Sequence, residues 1–128
     1  MSIQLNHIIV PAKEKCTSAN FLAAILGLEV GPQWGPFAPL RTSNGVTIDF
    51  VDATDFETHH CAFLVSEAEF DAALTRLREK GIAFYADFMR KKSGNINHLY
   101  GGRGAYFDGP DGHLFEIITQ PYGPTAEM

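Results

Sequence analysis

The 128 residues are 45% hydrophobic and 20% charged, values of a globular chain with enough apolar material for a core of its own, which excludes intrinsic disorder and any need for disulfides to fold. One domain covering 1–128 is the expectation. The formal net charge of -5, with basic residues clustered only at Arg90, Lys91 and Lys92, excludes a phosphate-tracking surface and with it nucleic acid as a partner. No apolar run approaches the length of a membrane span, and residues 1–10 lack the basic start and cleavage site of an export signal, so no membrane partner and a cytoplasmic location are expected. Cys16 and Cys61 are too few for a disulfide framework and lack zinc-site spacing; Cys61, in an apolar run, reads as a small core residue.

In chain order, Leu5 to Val10 is a β-branched run stopping at Pro11 and reads as a strand. Thr17 or Ser18 can cap a helix whose apolar positions Phe21, Leu22, Ile25 and Leu26 recur at helical spacing until Gly27. Three strands follow, Leu28 to Val30, Phe37 to Thr42 and Val46 to Asp52, the last entered through a Ser43-Asn44-Gly45 hairpin turn. After a polar link from Ala53 to Thr58 the order repeats. His60 to Val65 is a strand, and Ser66 with Glu69 forms a capping box for a helix carrying Phe70, Leu74 and Leu77 on one face up to Gly81. Ile82 to Phe88, Gly104 to Asp108 and Leu114 to Thr119 supply three more strands, the last two joined at Gly109-Pro110-Asp111-Gly112.

The predicted class is α+β: two βαβββ modules, 1–52 and 59–121, each curling a mixed sheet around a cleft, with helices packed outside. Met89 to Gly102 has no counterpart in the first module and is the candidate lid.

The modules superpose by their polar residues. His7 and His60 open the first strand of each; Asp49 and Glu116 lie in the last strand of each, four residues after Gly45 and Gly112. A carboxylate inside an apolar strand is costly unless paired, hydrogen-bonded or bound to a metal, and a cation between the modules would supply the partner. A lone buried histidine is ordinarily a core residue bonded to a carbonyl; pairing with a second histidine and an acid reverses that preference. His59 and His113 lie next to the pattern but point to the opposite strand face, and His113 reads as a turn residue.

Leu5-Asn6-His7-Ile8-Ile9-Val10, His60-Cys61-Ala62-Phe63-Leu64-Val65 and Asp111-Gly112-His113-Leu114-Phe115-Glu116, in this order and repeated, resemble the vicinal oxygen chelate superfamily: glyoxalase I, extradiol dioxygenases, fosfomycin-resistance enzymes, methylmalonyl-CoA epimerase and the metal-free bleomycin-binding proteins. The resemblance covers nearly the whole chain. It implies one divalent metal ion (Fe, Mn, Ni or Zn) held by His7, His60 and Glu116, with open positions for a small-molecule substrate that chelates through adjacent oxygens. Asp49, one methylene shorter than the Glu found there in some branches, is left either as a fourth ligand or as a general base behind the ligands; Glu116 and Asp49 are the expected catalytic carboxylates. Arg103, Tyr106 and His98 are the candidate substrate-binding residues, Arg103 competing with a surface salt-bridge role and His98 with a solvated loop role; Trp34 and Arg41 read as core or surface filling. The implied activity is that of a lyase, isomerase or ring-cleaving dioxygenase. The alternative is a metal-free binding or resistance protein. A twofold homodimer is expected, with the site within one chain or across swapped modules.

Overall fold

The structure, a computed structural model, describes residues 2–123, so the ends of the predicted single domain, Met1 and 124–128, lie outside the described residues. Contacts divide the chain into two compact units, 1–57 and 58–128. Each is an open three-stranded mixed sheet with one long helix, so the α+β class and the two-module plan hold. No described helix is long and apolar enough to cross a membrane.

In the first unit, β1 (His7–Ala12) runs parallel to β3 (Thr47–Asp52), which pairs antiparallel with β2 (Phe37–Arg41), and α1 (Lys15–Leu26) packs over the sheet. The register sorts the faces. Val10, Ala12, Ile48, Phe50, Ala38 and Leu40 are buried, with the α1 residues Ala19, Leu22, Ala23 and Ile25. His7, Ile9, Asp49, Phe37 and Pro39 share the other face. The strand expected to stop at Pro11 continues through it; β1 is an outer strand, where proline's missing N–H need not break a ladder, and Pro39 stands in the other outer strand.

The two helices are capped differently. α1 starts two residues before Thr17, and neither Thr17 nor Ser18 caps it: Glu14 is the N-cap without a side-chain bond, and the Lys15 N–H donates to Asp52 Oδ1 (2.8 Å), from the end of β3. Its C-terminus is the expected Gly27, at φ 73°. The second helix, α2 (Glu67–Glu79), has the full capping box: Glu69 N–H donates to Ser66 Oγ (3.1 Å) and Ser66 N–H to Glu69 Oε1 (2.8 Å).

The second unit repeats the order with β4 (His60–Leu64) parallel to β6 (Leu114–Ile118) and β5 (Gly104–Asp108) antiparallel to β6. Ala105, Phe107, Phe115 and Ile117 are buried on one face, as are Phe70, Ala73, Leu74 and Leu77 of α2; His60, Ala62, Glu116 and Tyr106 lie on the other.

The predicted strands Leu28 to Val30 and Ile82 to Phe88 are not formed. Each shrinks to isolated bridges, Val30 with Leu40, and Tyr85 with Tyr106 and Ser93. In the first unit Gly31, Pro32, Gly35 and Pro36 deny the ladder donors and regular dihedrals. In the second, the chain's own excursion takes the place of a ladder, Ala86 N–H donating to the Lys92 carbonyl (3.2 Å) and Gly94 N–H to that of Phe84 (2.8 Å), and Arg90 takes a left-handed φ of 61°.

Candidate metal centre

The two halves place their polar residues in the same register. His7 stands opposite Thr47, two residues before Asp49; His60 stands opposite Leu114, two residues before Glu116. In each unit the histidine and the acid therefore share one sheet face, a step apart.

In the second unit these side chains meet. His60 Nδ1–H donates to the Leu114 carbonyl (3.0 Å), which fixes the tautomer, because a carbonyl only accepts. The lone pair of Nε2 then faces Glu116 Oε1 at 3.0 Å. Two lone pairs at that distance repel unless a proton or a metal cation lies between. Two ligand atoms each about 2.1 Å from one ion and at right angles would stand about 3.0 Å apart, so the pair fits a divalent metal. A ligating histidine commonly gives its other N–H to a carbonyl in this way. Glu116 is 1% exposed, so its charge needs strong partners, whereas His60 keeps about half its side-chain surface open to an incoming group.

The other carboxylate oxygen is held by tyrosines. Tyr122 donates to Glu116 Oε2, and the Tyr106 and Tyr122 hydroxyls are hydrogen-bonded to each other and to the carboxylate. Burial, and then the Glu116 charge, push both phenols above their ordinary range, so they remain protonated donors. The Tyr106 ring stacks on the His60 imidazole, centroids 6.0 Å apart, and that of Tyr100 leans on Tyr122 at 5.0 Å.

The first unit carries a matching but sparser set. His7 is exposed and its Nδ1–H donates to Asn6 Oδ1 (2.8 Å), which again turns the Nε2 lone pair outward. Asp49 is 2% exposed and accepts a long bond from Trp34 Nε1–H (3.4 Å), with Trp34 resting on Phe37 at 4.9 Å. Trp34, read from sequence as filling, is thus the donor to this acid. Among the described residues no three His, Cys, Asp or Glu side chains form one cluster. The structure brings together His60 and Glu116, while His7 and Asp49 belong to the first unit.

The remaining candidates separate. Tyr106 and His98 both line a cavity of about 650 Å³ in the second unit, walled also by Phe88, Ile96 and Leu99. Ile96 and Leu99 belong to the inserted stretch, which is tied down: Arg90 forks onto Asp108 (2.8 and 2.5 Å), and Asn97 pairs with the Gly104 backbone while its Nδ2 donates to the Ala86 carbonyl. Gly104 leaves room for it, since a Cβ there would stand 2.7 Å from Asn97 Oδ1. Arg103 is engaged elsewhere, with Glu67 and Asp71 of α2 (both 2.8 Å) and over the Phe70 ring; its surface salt-bridge role is the one the structure displays. His113 closes the turn before β6, its carbonyl accepting the Gly109 N–H (2.9 Å), and is at the same time a core residue. It is 1% exposed and its Nδ1 accepts the His59 N–H (2.8 Å), bracing the strand end next to His60. Tyr122 escaped the sequence reading altogether; its one signal is an aromatic residue between Pro121 and Gly123, just past the last strand.

Comparison with known proteins agrees with this architecture. The model of the Glyoxalase/Bleomycin resistance protein/Dioxygenase superfamily matches residues 4–117. Oxidase ChaP-H2 superposes with a TM-score of 0.93 at 53% identity, covering 96% of this chain and 98% of that one; Oxidase ChaP-H1 gives 0.92 at 44%, covering 95% and 99%. A mutant of FosX of Listeria monocytogenes, a fosfomycin resistance protein, solved in complex with Mn(II) and 1S,2S-dihydroxypropylphosphonic acid, shares the fold at a TM-score of 0.71 and 21% identity, covering 94% and 95%. Metallothiol transferase FosB of Shouchella clausii (strain KSM-K16) is 38% identical over 60 residues, 47% of this chain; the match spans only 37% of FosB, well under half of its length. With its family model matched across most of its length, the chain belongs to the Glyoxalase/Bleomycin resistance protein/Dioxygenase superfamily.

Proposed function

We propose that the protein is a metal-dependent enzyme acting on a small molecule with two adjacent oxygens, with one divalent ion held by His60, Glu116 and His7, the last from the same chain or from a second copy. The observation that carries this reading is the His60 Nε2 lone pair aimed at Glu116 Oε1 at 3.0 Å, with Nδ1 committed to a carbonyl. When bound, such an ion supplies a Lewis acid with open coordination positions. The chain's own residues do the rest. Tyr106 and His98 border the cavity that takes the substrate's body, and its apolar wall of Phe88, Ile96 and Leu99 suits a ring system. Asp49, under Trp34, serves as the base that takes a substrate proton. Arg103 has no part in this reading, being occupied by α2.

Among lyase, isomerase and dioxygenase chemistry, the likeness to two oxidases over nearly the full length supports oxidation, with dioxygen as the oxidant. Two free cysteines suit a reducing compartment such as the cytoplasm. β1 and β4 are outer strands of their sheets, which supports a twofold homodimer. Metal analysis of the purified protein tests the reading: about one equivalent per chain, of Fe, Mn, Ni or Zn, is expected, and failure to retain any of the four after loading supports the metal-free binder instead. Asp49→Asn is expected to slow turnover by about 10²-fold or more while metal affinity stays within a few-fold. A loss of affinity as large as that of a Glu116 variant would make Asp49 a ligand.

A further inference from the structure

We propose that Tyr122 is a positioning residue for Glu116: its hydroxyl holds Oε2, so that Oε1 alone stands beside His60 Nε2 and the carboxylate ligates through one oxygen. This rests on His60 and Glu116 being metal ligands. The two carboxylate oxygens have different surroundings, an imidazole lone pair at 3.0 Å on Oε1 and the phenol of Tyr122 on Oε2. A carboxylate free to rotate could take two coordination positions; one whose second oxygen is already bonded takes one and leaves the other for a substrate oxygen.

The placement of Tyr122 is built into the chain. β6 ends at Ile118, and Pro121 and Gly123 (φ 83°) bend the segment so that residue 122 returns to a carboxylate six positions earlier. Its ring is braced by Tyr100, 5.0 Å away, which itself holds a left-handed φ of 56° that side chains seldom adopt. Tyr106 also reaches the carboxylate, but from β5 opposite Glu116, where its ring stacks on His60 and its hydroxyl is shared between Glu116 and Tyr122; Tyr122 gives its hydroxyl to Oε2 from the turn past β6.

The test uses Co(II), whose visible absorption weakens as its coordination number rises, on the full chain. Tyr122→Phe is expected to lower Co(II) affinity about 10- to 100-fold and to weaken the visible band as Glu116 swings to two-oxygen ligation. Placing 4-aminophenylalanine at position 122, which keeps a ring and an N–H donor, is expected to restore both. If Tyr122→Phe binds Co(II) with unchanged affinity and spectrum, the proposal is overturned. If Tyr122→Phe melts early, the donor-retaining substitution decides: a wild-type spectrum supports the role, and a weakened one overturns it. His60→Ala binding Co(II) as tightly as wild type would overturn the ligand reading itself, and the positioning role with it.

Discussion

His60→Ala and Glu116→Gln are expected to lose about 100-fold or more in metal affinity, beyond the 10- to 100-fold that removing a residue behind a ligand typically costs. The two substitutions are chosen for what they leave behind. His60 is half open, so truncating it opens little cavity; it removes the donor to the Leu114 carbonyl and the neighbour of Glu116 Oε1, while Tyr122 still holds Oε2. Glu116→Ala would leave the Tyr106 and Tyr122 hydroxyls without their acceptor in a buried place, costing about 1–3 kcal/mol for reasons unrelated to metal. Glutamine keeps the shape and an acceptor oxygen while removing the charge. His7→Ala, at an exposed position on an outer strand, is expected to weaken metal binding with no change in melting temperature. Chelator competition on the three variants measures the effect, and full occupancy in all of them would refute the assignment.

Phe107→Ala is expected to cost about 3–5 kcal/mol of stability, a fall of roughly 10–20 °C in Tm, without displacing the ligands. Phe107 is fully buried in β5, on the face opposite Tyr106 and Glu116, its ring 5.8 Å from that of Phe115. Truncation there opens a cavity that the sheet cannot close. Below its lowered Tm, the variant is expected to bind metal as wild type does, read by thermal melts with a chelator titration at low temperature; equal losses in stability and affinity would show that the metal centre depends on this face.

What the sequence made legible follows from how local each signal is. Ser66 and Glu69 announce their helix because the capping box closes within four residues, and Gly27 ends the other because only the left-handed turn at that position is needed. The twofold placement of His7 with Asp49 and His60 with Glu116 could be read because each histidine opens the first strand of its module and each acid follows a turn glycine by four residues. The cap of α1 was hidden: Asp52, 37 residues from Lys15, supplies it, and only the parallel β1–β3 pairing brings it there. Arg103 carried the right charge for a substrate clamp, but Glu67 and Asp71 lie one helical turn apart on the nearest helix and take both its arms. Tyr122 was invisible because its role depends on a turn after the last strand, not on any spacing within one. His113 reads as a turn residue from its neighbours, yet the His59 N–H it accepts and the Phe115 ring beside it make it part of the core.

Anomalous diffraction at the absorption edge of the bound metal tests the central claim most directly. The account predicts one peak per chain in contact with His60 Nε2, Glu116 Oε1 and a His7 imidazole, and the same map tells whether that imidazole belongs to the same chain or to a second copy. A peak away from the His60–Glu116 pair, or one at the pair with no His7 from either source, would contradict it.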